Sequence, residues 1–82
     1  MTREVEVFTA PGCMSCERAK AFLKAHGVTF AERNLAGDSR ATEELVALGA
    51  RKLPVVRIGD EIISGFDPAR LRVALGLVAE GV

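Results

Sequence analysis

The sequence has no net charge, no long apolar run and, apart from one close pair, no cysteine. Eleven basic and eleven acidic residues cancel. No whole-molecule field therefore draws the protein to nucleic acid or to an anionic membrane, and partners must be chosen by local chemistry. The apolar runs are too short to span a membrane, and Met1-Thr2-Arg3-Glu4-Val5-Glu6 lacks the apolar core of a signal peptide. A cytoplasmic setting is therefore expected. Structural disulfides are rare there, so a lone pair of cysteines points to catalysis or metal binding rather than to a staple. The one histidine, His26, stands away from that pair in sequence, which argues against Cys-His hydrolase chemistry. At a helix C-terminus it is read as a dipole-complementing or partly packed residue. No repeat, linker or low-complexity stretch divides the 82 residues, so one domain is expected over 1–82. Hydrophobic residues at 49% and charged residues at 27% describe an ordinary globular chain, not a disordered one.

What is present is Pro11-Gly12-Cys13-Met14-Ser15-Cys16, with both cysteines three positions apart where a strand hands over to a helix. Residues at i and i+3 share one side of a helical turn, so their sulfurs can bond by closing a very small loop. With Cys13 at the N-cap, its sulfur would face unpaired backbone N–H groups and the positive end of the dipole, which favour the thiolate. Such sites bring the cysteine pKa from ~8.5 towards or below ~7, and the thiolate is the nucleophile. A buried apolar pair and half of a metal site remain open on this motif alone.

The rest of the chain reads in order. Val5 and Val7 alternate with Glu4 and Glu6, and Phe8 leads into a turn, giving a strand over 3–8. A helix over 14–26 buries Cys16, Ala19, Leu23 and His26 and stops at Gly27. Cys16 thus lies on the inner stripe and Cys13 faces solvent. Residues 28–35 form a second strand, parallel to the first by a right-handed crossover. Gly37-Asp38-Ser39 opens a helix with Ala41, Leu45 and Leu48 inward and Glu43 and Glu44 nearer its positive end, closed by Gly49. Leu53–Ile58 and Glu61–Ser64 pair antiparallel through Gly59-Asp60. Asp67-Pro68 starts a last helix with Leu71, Ala74, Leu75 and Val78 inward. The order βαβαββα describes an α/β fold, a four-stranded mixed sheet covered by three helices, with the cysteines at the carboxyl end of the first strand.

Three segments, Gly12-Cys13-Met14-Ser15-Cys16, Arg51-Lys52-Leu53-Pro54-Val55-Val56 and Ser64-Gly65-Phe66-Asp67-Pro68, make the chain resemble glutaredoxin-like proteins of the thioredoxin fold, most closely the NrdH-type redoxins. The resemblance runs from about Val5 to Leu75. It implies that Cys13 attacks and Cys16 resolves. It also implies that Pro54 is a cis-proline facing the dithiol, that the Leu53 backbone pairs with a bound disulfide substrate, and that Gly12, Met14, Gly65, Phe66 and Asp67 border the substrate groove. Phe66 serves equally as plain core. The implied activity is thiol-disulfide exchange with protein disulfides, serving ribonucleotide reductase and recharged by thioredoxin reductase. No metal or organic cofactor is needed, and a monomer is expected.

The chain departs from that pattern in places. Ile63 stands where NrdH-type redoxins usually carry Trp, and Asp67-Pro68-Ala69 stands where they continue Arg-Pro-Asp. Asp67 and Arg51 suit the alternative, a glutaredoxin with glutathione as co-substrate. Against it, Ala10 replaces the usual Lys and Met14-Ser15 lacks the usual aromatic. A different class is a carrier of a soft ion such as Cu(I) on two thiolates. Those carriers usually have Met two residues before the first cysteine, where this chain has Pro11.

Overall fold

Side-chain alternation in the first strand decides which layer each residue joins. The computed structural model describes residues 4–50 and 52–77. It contains β1 (Val5–Thr9), α1 (Met14–Ala25), β2 (Ala31–Asn34), α2 (Ser39–Leu48), β3 (Val55–Ile58), β4 (Glu61–Ser64) and α3 (Pro68–Ala74). The four strands form one sheet in the order β2-β1-β3-β4. β1 runs parallel to β2 and antiparallel to β3, and β3 is antiparallel to β4. This is the βαβαββα thioredoxin-like fold.

Two apolar layers follow from the register. Val5 and Val7 pair across the sheet with Ile58 and Val56. These four join Ile63, Leu23, Leu71 and Ala74 in a core under α1 and α3. On the opposite face Phe8 and Val55 meet Ala41, with Leu45 and Leu48 of α2 packed around them. Phe8, Val7 and Leu23 are fully buried. Each large side chain so buried contributes about 1.5–3 kcal/mol.

The elements end where backbone chemistry stops them. After α1, the Gly27 N–H donates to the Lys24 carbonyl at 3.0 Å and the Val28 N–H to the Leu23 carbonyl at 2.9 Å. This paired closure occupies Val28, so β2 starts at Ala31 rather than at 28. His26 is correspondingly not on the inner stripe. It follows the last helical residue and is exposed, its ring Nδ1 donating to the Phe22 carbonyl at 2.9 Å. Pro54 has no N–H for a ladder, so β3 begins at Val55 instead of Leu53. Asp67 caps α3 by accepting from the Arg70 N–H at 3.2 Å, with Pro68 in the first turn. Val78 and Arg3 lie outside the described residues.

The α2 face carries a cluster of ion pairs. Glu6 and Glu44 do not simply face solvent or a helix dipole. Glu6 pairs with Arg57 and with Arg33, and Glu44 with Arg33 at 3.1 Å and Arg57 at 3.1 Å. Asp38, the N-cap of α2, accepts from Arg33 Nε at 2.9 Å. Both guanidinium groups lie over the Phe8 ring, 5.5 and 5.6 Å from its centre, a cation–π arrangement that covers the buried aromatic. Glu44 lies beyond the first turn of α2, whose first turn contains no acid. Its partners are the two arginines rather than the helix end.

Candidate active site at the carboxyl end of β1

β1 delivers the chain to a tight turn in which the Cys13 N–H donates to the Ala10 carbonyl at 3.3 Å. Gly12 takes φ +76°, a left-handed conformation, and no atom lies within 4 Å of where a Cβ would stand. Cys13 is the N-cap of α1, and its Sγ accepts the Cys16 N–H at 3.2 Å. One of the orphan donors of the helix end is thus aimed at that sulfur, together with the positive end of a 12-residue helix. Cys13 and Cys16 are joined as a disulfide with Cα atoms 5.2 Å apart.

Access to the two sulfurs is unequal. Cys16 is 1% exposed, on the stripe with Ala19 and Leu23. Cys13 is half-buried and reaches the surface, and the neighbouring Met14 is 70% exposed.

The second wall is the loop before β3. The Leu53–Pro54 peptide bond is cis. The Ser15 hydroxyl donates to the Leu53 carbonyl at 3.4 Å, joining this wall to the first turn of α1. The Gly65 N–H donates to the Pro54 carbonyl at 2.7 Å and to the Lys52 carbonyl at 3.2 Å, and Ser64 Oγ donates to the same Lys52 carbonyl at 3.0 Å. Gly65 is buried at φ +79°, under the Lys52 side chain.

The remaining expected groove residues are placed differently. Phe66 is half-buried and packs against the α1/α3 core, its ring edge-on to Phe22 at 6.1 Å. Asp67 spends a carboxylate oxygen on the α3 cap. The fold thus brings Cys13, Cys16, Leu53, Pro54 and Gly65 to one place, leaves Met14 on the rim and turns Phe66 inward. Arg51 lies outside the described residues.

Sequence reasoning gave Ser15 no role, and it missed the root of the cysteine loop. Thr9 is 1% exposed, and its hydroxyl donates to Glu32 Oε2 at 2.8 Å. Lys20 of α1 donates to the same oxygen at 2.9 Å and pairs with Glu17 at 3.0 Å. The Glu32 and Glu17 carboxylates raise the Lys20 pKa. Lys20, and after it the Thr9 hydroxyl, lower that of Glu32. The cluster ties α1 to β1 and β2 immediately behind the dithiol. The available signal was Thr9 at an inward position of the alternation, opposite a strand with few apolar residues.

A glutaredoxin family profile matches residues 5–63, a span that holds the dithiol and the cis-proline wall. The chain belongs to the glutaredoxin family. Within it, the glutaredoxin-like protein NrdH of Lactococcus lactis is 33% identical over 67 residues, covering 82% of this chain and 93% of that protein. A probable glutaredoxin of Synechocystis is 39% identical over 69 residues, 82% of this chain and 78% of its own length. The solved structure of the glutaredoxin-like NrdH-redoxin from Escherichia coli, described as having a thioredoxin-like activity profile, superposes with a TM-score of 0.80 at 33% identity. That superposition covers 85% of this chain and 92% of the other. This glutaredoxin-family member is accordingly an NrdH-like thiol-disulfide oxidoreductase with Cys13–Cys16 as its redox pair.

Proposed function

We propose that the protein reduces protein disulfides in the cytoplasm, with Cys13 as the attacking and Cys16 as the resolving cysteine. The observation that carries the assignment is the inequality of the two sulfurs: one accessible at a helix N-cap, the other 1% exposed behind it. The Cys13 thiolate attacks one sulfur of the target, forming a mixed disulfide and expelling the other target sulfur as a thiolate. Cys16 then loses its proton and attacks Cys13 Sγ, closing the Cys13–Cys16 bond and releasing the second target thiolate. Two electrons pass to the target and no cofactor takes part. During attack the backbone of Leu53 pairs with that of the target. The exposed Met14, a flexible apolar side chain, meets the target's surface, flanked by Gly12. Gly65 and Pro54 hold that wall in place.

For the reductant, we infer thioredoxin reductase, with ribonucleotide reductase as a target. The thioredoxin-like activity profile of the Escherichia coli relative supports this, as do Ala10 and the engagement of Asp67 in capping. Paired assays on one protein disulfide test it. Turnover is expected with thioredoxin reductase. Turnover with glutathione and glutathione reductase, and none with thioredoxin reductase, overturns it in favour of a glutathione-coupled enzyme.

A further inference from the structure

Ser15 bridges the two walls of the site with a single hydroxyl. Its Oγ lies 3.6 Å from Cys13 Sγ and 3.4 Å from the Leu53 carbonyl oxygen. A hydroxyl has one proton to donate, so it serves one of these acceptors at a time. In the disulfide, Cys13 sulfur is neutral and a weak acceptor, and the proton goes to Leu53. That bond is long for O–H···O and easily given up. Once Cys13 is a thiolate the preference reverses, because hydrogen bonds to an ionised acceptor are roughly twice as strong as neutral ones.

We infer that Ser15 is a redox-dependent rotor. Its hydroxyl caps the Leu53 carbonyl in the disulfide form and turns to Cys13 in the dithiol form, opening that carbonyl to a backbone N–H of the incoming protein substrate. The inference rests on the reading that Cys13 attacks and that the substrate backbone pairs with Leu53. The rotation moves no electrons; those pass in the exchange steps given above. Its effect is to distinguish substrate from product. The reduced protein offers an uncovered carbonyl beside a thiolate held by two donors, the Ser15 hydroxyl and the Cys16 N–H. After oxidation Ser15 competes for the carbonyl and the reduced product leaves.

Two measurements on the whole protein test this, with Ser15→Ala and Ser15→Thr compared to wild type. Ser15→Ala is expected to slow alkylation of Cys13 by iodoacetamide, at a pH below the alkylation midpoint, by about ten-fold, the loss of one hydrogen bond to a charged acceptor. Ser15→Thr should restore it. The second readout is the affinity of a non-reacting peptide carrying S-methylcysteine. Wild type should bind it several-fold more tightly when reduced than when oxidised, Ser15→Thr should keep that gap, and Ser15→Ala should close it by tightening the oxidised form. Wild-type alkylation in Ser15→Ala, or equal affinity of both wild-type forms including none for either, overturns the rotor. Trapping of a target on Cys13 by Cys16→Ser reports separately on the underlying reading. Normal trapping with an unmoved Ser15→Ala removes the rotor alone, whereas no trapping removes the reading beneath it.

Discussion

Thr9 is where the root of the active-site loop can be weighed. Its buried hydroxyl donates to a carboxylate at 2.8 Å, and bonds to charged groups are worth about 1.5–3 kcal/mol. The Glu32 side chain is 36% exposed and keeps Lys20 as a partner, so water and the ammonium recover part of the loss. The expected cost of Thr9→Val is therefore about 1 kcal/mol. Thr9→Ala also deletes a methyl from a site 1% exposed, adding about another 1 kcal/mol for lost burial and the void left behind. At roughly 4–8 °C per kcal/mol for a domain of this size, Thr9→Val should melt about 5 °C lower and Thr9→Ala about 10 °C lower. Circular dichroism melts of the oxidised protein measure both. A cycle with Glu32→Gln should show the double variant Thr9→Val/Glu32→Gln costing less than the two singles together. A Thr9→Val protein that melts within a degree of wild type, beside a Thr9→Ala protein that does not, would leave only methyl packing and refute the bond's role.

Acid should loosen the α2 face. Arg33 and then Arg57 lower the Glu44 pKa from its ordinary 4.5, and Arg33 and then the Ala41 N–H lower that of Asp38 from 3.8. Both carboxyls hold their protons less tightly folded than unfolded, so their stabilisation is complete above the ordinary values and is lost as pH falls through the depressed ones. Melting temperatures taken from neutral pH downward should fall mainly in that acid range, and less steeply in Arg33→Met; an unchanged acid slope in that variant would contradict the pairing. Gly65→Ala places an L residue at φ +79° with its Cβ 3.5 Å from the flexible end of Lys52, so backbone strain of about 1–2 kcal/mol is the whole expected cost. Because the Gly65 N–H holds both the Pro54 and Lys52 carbonyls, KM for a protein disulfide should rise more than kcat falls, and an unaltered KM would show that this wall does not meet the substrate.

The sheet, its three helices and the position of the dithiol could be read from sequence because each had a local cause. Val5 and Val7 alternate, Asp38 and Asp67 are strong caps, and Cys13 follows a Pro-Gly turn at a strand end. What escaped depends on pairs far apart in the chain. Arg33 and Arg57 join Glu6 and Glu44 only after β1, β2 and β3 lie side by side, so alternation alone names no partner for Glu6. The closure at Val28 was hidden for a different reason. An apolar residue after a glycine reads as the start of a strand, while its N–H is already committed to the helix behind it. Phe66 was ambiguous in sequence between groove and core, and it stands half-buried at the core's edge against Phe22.

The long-range contacts also fasten the walls of the site independently of the bond made and broken at its edge. Each wall has an anchor that does not include a sulfur. The root of the cysteine loop is held by Thr9, Glu32 and Lys20, and the cis-proline loop by the one Gly65 N–H shared between two carbonyls. Cys16 packs on the same stripe as Ala19 and Leu23, so it moves only as far as that stripe allows. The groups left free to change between redox states are then the Cys13 sulfur and the Ser15 hydroxyl. Both sit at the N-terminal end of α1, Cys13 as its N-cap and Ser15 in its first turn, where unpaired N–H groups receive whatever charge the reaction leaves. A helix N-terminus fastened from behind to two strands thus holds its N–H donors in place around the Cys13 sulfur.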